Sequence, residues 1–103
     1  MLKVVELVNP ATWEKIPNQF VIYFDNLIFL RSFGKIVARI DKTPDENGTY
    51  PIVLLDEWNQ DKETAKAVAK FIACHFQGKW GKKRIEDAIS FGYISITPKI
   101  ELS

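Results

Sequence analysis

A single cysteine in 103 residues leaves no disulfide framework and no cysteine-based zinc module, and fits a reducing, cytoplasmic setting. No apolar run approaches the roughly 18–20 residues that a membrane span needs, so no membrane partner is expected. Glu6 falls within the first six residues, and this start reads as no signal peptide. Charge of either sign is not in excess: 14 Lys/Arg stand against 13 Asp/Glu, for a net of +1. That balance argues against a strongly basic nucleic-acid binder and against an acidic DNA mimic. No repeat, low-complexity tract or Ser/Gly linker interrupts the chain, which reads as a single domain over 1–103. GxxxxGK[ST], GxGxxG and GxSxG are all missing.

The apolar residues, 47% of the total, fall into an ordered series. Leu2–Val8 reads as a strand, stopped by Asn9-Pro10. Asn9 with Pro10 is placed to open a short helical turn through Lys15, and Pro17-Asn18 to close it. Phe20–Phe24 and Leu27–Leu30, separated by Asp25-Asn26, form a hairpin with a two-residue turn. Lys35–Ile40 alternates, with Ile36, Ala38 and Ile40 on one face and Val37 and Arg39 on the other. Thr43–Gly48 is a turn by composition. Tyr50–Leu55 is a further strand, where Pro51 suggests an edge or a first position without a ladder donor.

Asp61 caps a helix over about 62–76, whose Ala65, Val68, Ala69, Ile72 and Phe76 share a buried face. Lys62, Lys66 and Lys70 recur every four residues as a solvent stripe. Gly78 ends this helix, and a shorter one over about 84–91 turns Ile85, Ala88 and Ile89 inward. Ile94–Thr97 alternates as a last strand, free to pair with the first. The expected class is α+β: an antiparallel meander of four to six strands with both helices on one face.

Assembled chemistry is sparse. His75 is the sole histidine, with Phe71 and Gly78 as its nearest helical neighbours, and adjacent Cys74 points about 100° away, so the two form no nucleophile–base pair. Asp56, Glu57 and Asp61 are close enough in sequence to hold a cation, but their loop lacks the glycine of a calcium site. Asp61 already has a use as a helix cap. No catalytic residue, metal ligand or cofactor is assigned, and an enzyme using Asp56, Glu57, Asp61 and His75 ranks last among the readings.

The near-neutral total hides two unlike stretches. Residues 62–84 hold seven basic residues and one acid, whereas 41–61 hold six acids and one base. Lys79-Trp80-Gly81-Lys82-Lys83-Arg84 sets an aromatic among cations, an arrangement that suits a base stacked on Trp80 with phosphate on the cations. The plain alternative folds Trp80 back onto the core of a solvated link. Five of the 13 aromatics crowd Phe20–Phe33, and the hairpin is apolar on both faces. A second apolar face needs a cover: the 10–17 segment with Trp13 and Ile16, or another copy of the chain.

Arg31-Ser32-Phe33-Gly34-Lys35-Ile36-Val37-Ala38, Trp58 through Lys66, and Gly92-Tyr93-Ile94 together resemble a group of small bacteriophage-encoded proteins of uncharacterised function. The likeness covers about residues 27–94. In that group a serine stands where this chain has Asp61, and a threonine where it has Glu63. The resemblance implies a phage or prophage origin and the cytoplasm of an infected cell, and it supplies no activity. The leading expectation is therefore a non-enzymatic phage accessory protein that binds a protein: a second copy in a homodimer, or a phage or host factor, with inhibition of a host defence complex one form of this. Phe20, Tyr23, Phe29, Phe33 and Trp80 are the candidate contacts. The alternative is a nucleic-acid-binding module built on Lys62, Lys66, Lys70, Lys79, Trp80, Lys82, Lys83 and Arg84.

Overall fold

A computed structural model describes residues 2–101. One mixed sheet of six strands runs in chain order: β1 (Leu2–Val8), β2 (Lys15–Phe24), β3 (Leu27–Ser32), β4 (Lys35–Asp41), β5 (Ile52–Leu55) and β6 (Ile94–Thr97). The first five strands form an antiparallel meander, and β6 joins β5 in parallel. A parallel neighbour requires a long crossover, which here contains α1 (Lys62–His75) and α2 (Lys82–Ser90). The fold is thus α+β with two helices packed on the sheet. The last strand does not return to β1. Short links leave α2 against β6, and Ile94 pairs with Ile52 at the opposite edge from β1.

Local chemistry accounts for most boundaries. Asp25 takes a positive φ of 54° in the two-residue turn between β2 and β3, a conformation Asp tolerates better than most side chains. Asn9 accepts the Ala11 N–H on its side chain at 2.9 Å. It holds a plain turn here, with no helix, and β2 begins as early as Lys15, running through Pro17 and Asn18. β5 lies between β4 and β6, so Pro51 does not mark an edge. It stands just before the ladder, and its carbonyl accepts from Asp41 N–H at 2.9 Å. Asp61 caps α1 through Thr64 N–H at 2.7 Å, as expected for an acid at that position.

Following the register from strand to strand separates the two faces of the sheet. Lys3, Tyr23, Ile28, Ile40, Ile52 and Ile94 form one inner row; Val5, Val21, Leu30, Ala38, Leu54 and Ile96 form the next. Apart from exposed Lys3 and Ile96 at their ends, these rows meet Val68, Phe71 and Ile72 of α1 and Ile85 of α2 in a single core. The alternation expected along β4 breaks at a bulge between Leu30 and Arg31. The bulge supplies an extra residue, so Val37 joins the helix-side core together with Ala38 and Ile40, while Ile36 pairs with Arg31.

Candidate functional site

The opposite face of the sheet carries no helix. Its central row runs Val4, Ile22, Phe29, Arg39, Val53 and Ser95 across all six strands. It is flanked by Leu2, Phe24, Leu27 and Asp41 on one side and by Glu6, Phe20, Arg31 and Ile36 on the other. Phe29 is 0% exposed and Ile22 is buried, yet neither belongs to the helix-side core. Cross-strand and diagonal neighbours in a twisted sheet come close enough to enclose a central side chain between them. Val4 at 51%, Leu2 at 48% and Phe20 at 36% exposure form the open margin near β1. Arg39 Nε is buried there without a hydrogen-bond partner.

The hairpin aromatics divide between the two faces. Phe20 and Phe29 belong to the uncovered face, but only Phe20 offers surface. Tyr23 points the other way, half-buried beneath β1 and α1 beside His75. Phe33 takes a positive φ in the β3–β4 turn and is 56% exposed. The one cover expected from within the chain, the 10–17 segment, does not reach the open face. Ile16 packs against the helix-side core, and Trp13 lines a cleft with Tyr23, Cys74 and His75 on that same side. Composition alone did not single out Leu2, Val4, Ile22 or Val53, because β1 and β2 carry apolar residues on both faces.

The basic residues do assemble. Lys62, Lys66, Lys70 and Lys82 line one open groove of about 410 Å³, with Trp80 on its wall. Ala65, Ala69 and Ala73 make a smooth floor, and Asn9 and Pro10 stand opposite. Lys79, Lys83 and Arg84 do not line it. Trp80 is half-buried and held from two sides: its Nε1 donates to the Gln77 carbonyl at 3.3 Å, and the Arg84 guanidinium lies 3.8 Å over the ring. Arg84 in turn donates to the Lys79 carbonyl at 2.8 Å. Gly78 makes room for this stack, since its φ is +101° and an added Cβ would lie 2.5 Å from Arg84 Nη1. Ala65 and Ala69, expected in the buried face of α1, serve both the core and the groove.

Of Asp56, Glu57 and Asp61, the last two have structural partners. Glu57 pairs with Lys35 at 2.9 Å, and Asp61 caps α1. Asp61 also accepts from the Thr64 hydroxyl at 3.0 Å. With that proton committed to a carboxylate, Ser32 must donate to Thr64, across 3.3 Å, which ties β3 to the start of α1. No group of three or more His, Cys, Asp or Glu residues is arranged to hold a metal among the described residues. His75 Nδ1 lies 3.0 Å from the Phe71 carbonyl, an arrangement that places its proton on that nitrogen. Cys74 is exposed, with its thiol 3.7 Å from the Val8 carbonyl, and partial desolvation pushes its pKa up. Tyr23 is shifted upward as well, first by burial and then by the neighbouring Cys74.

No helix among the described residues is long and apolar enough to cross a membrane. Against known proteins, the chain matches no family model, no curated sequence and no solved structure.

Proposed function

We propose that this chain is a small non-enzymatic protein that acts by binding another protein through the uncovered face of its sheet. The observation that carries the reading is the exposed apolar margin of Leu2, Val4 and Phe20, backed by buried Ile22 and Phe29, on the face opposite the helices. The exposed part of that face is the margin of Leu2, Val4 and Phe20, and apolar area on a sheet face that no element of the same chain covers is characteristic of interfaces. Arg31, Arg39, Asp41 and Glu6 among the apolar positions supply both signs of charge for orientation. The resemblance to small bacteriophage proteins supports an infected cell as the setting. There the partner is a second copy, another phage protein, or a host factor that binding inhibits.

Tagged protein recovered from infected cells tests this directly, with light scattering on the purified chain alongside. A mass above 11.9 kDa, or a co-purifying protein, is expected from the unaltered chain and is lost in the Val4→Asp/Phe20→Asp double variant. A partner retained by that folded variant, or a chain that is monomeric and captures nothing, overturns the reading.

A further inference from the structure

We propose a second binding site, independent of the open sheet face: the groove along α1 binds single-stranded nucleic acid. Lys62, Lys66 and Lys70 stand four residues apart, so their Cα atoms span about 12 Å along the helix axis. Lys82, from the start of α2, adds a fourth cation, and no acid lines the groove. None of the four lysines forms an ion pair among the described residues, whereas Lys15, Lys35 and Lys99 each do. Four like charges gathered in one concavity repel one another, and an anionic polymer relieves that repulsion while releasing its own counterions.

The surface between those cations favours a nucleic acid over an acidic peptide. Its floor is a row of alanines, and Trp80, packed against the core with Arg84 over its ring, lines the wall, so apolar area lies within reach of the lysines. A planar base can stack on such a surface with its phosphate on a neighbouring lysine; a glutamate side chain has no use for it. The Arg84–Trp80 stack and the Trp80–Gln77 hydrogen bond hold the indole in place before any ligand arrives. The groove is bounded by Asn9 and Pro10 on one side and by Gly81 and Lys82 on the other.

Fluorescence anisotropy with a short labelled single-stranded DNA, at low and rising salt, tests the proposal. Binding is expected, with log K falling against log salt at a slope of about −3, the value for four cations on a single strand. Lys66→Gln with Lys70→Gln flattens that slope by about 1.4, while Lys83→Gln, outside the groove, leaves it unchanged. Trp80→Ala weakens binding at least about five-fold without altering the slope. The lysine variants lie on the surface and keep the fold, which circular dichroism verifies. The proposal is overturned by any of three results: no binding at low salt, equal loss from Lys83→Gln, or displacement of the DNA by polyglutamate as readily as by unlabelled single strand.

Discussion

Phe71 and Phe29 are equally inaccessible to solvent, but Phe71 is sandwiched between α1 and the sheet, whereas Phe29 lies on the face that no helix covers. The first is enclosed by a second layer. The second is enclosed only by its neighbours in the same sheet, Ile22 and Arg39 across the strands and the aromatic pair Phe20 and Phe24 diagonally. The difference separates two uses of apolar area. On the helix side it holds the domain together; on the open side its rim remains free for another molecule. A buried residue in the middle of a sheet is therefore no proof that its face is covered.

The contrast is sharpest in stability. Phe71→Ala is expected to cost about 3–5 kcal/mol in urea unfolding, since two layers prevent the cavity from collapsing. Phe29→Ala falls at the low end of that range, about 3 kcal/mol, because the surrounding side chains can relax into an open face. Equal losses would mean that the open face is as rigidly packed as the core. Asp61→Ala removes the α1 cap and leaves the Thr64 hydroxyl without its acceptor, for a loss of about 1 kcal/mol by the same measurement.

A smaller effect comes from the cleft where β1, β2 and α1 meet. Burial raises the folded-state pKa of Tyr23 above 10.0, so the unfolded chain gives up that proton first as pH rises. The Tyr23 contribution is therefore complete below pH 10 and is lost as pH climbs through the folded value. Tyr23→Phe is expected to flatten the alkaline limb of the stability profile; an unchanged limb counts against this assignment. The Cys74 thiol, also shifted upward by partial desolvation, is expected to alkylate more slowly at neutral pH than a free thiol does, and the rate with iodoacetamide measures it.

Much of the architecture was legible in the chain because it rests on local chemistry. The Asp25-Asn26 turn, the Asp61 cap and the three- and four-residue periodicity of α1 each depend on residues a few positions apart. Two readings failed where the deciding partner was distant. Val37 changed sides because β4 bulges against β3, and Ile94–Thr97 paired with β5 because α2 delivers it there. Of the two positions Pro51 offered, an edge or a place without a ladder donor, the arrival of β6 beyond β5 leaves the second. The candidate sites divide in the same way. The lysine stripe at four-residue spacing was visible in α1, but the contribution of Lys82 and Trp80 to the same groove depends on how the two helices meet. The hairpin aromatics were visible too, but their assignment to faces depends on register: a shift of one residue would exchange Tyr23 with Phe24.

By itself, the amino-acid sequence determined the element types apart from the turn at 9–15, their order, the helix cap, the hairpin turn and the separation of acidic from basic stretches. These follow from backbone preferences and hydrogen bonds spanning a few residues, which act whatever the rest of the chain does. Only the tertiary structure decided which apolar face stays open and which of the eight candidate basic-region residues share a groove. Both outcomes turn on where α1 and α2 settle on the sheet: covering one face leaves the other bare, and the angle between the helices brings Lys82 and Trp80 to the lysines of α1 while leaving Lys79 and Lys83 outside.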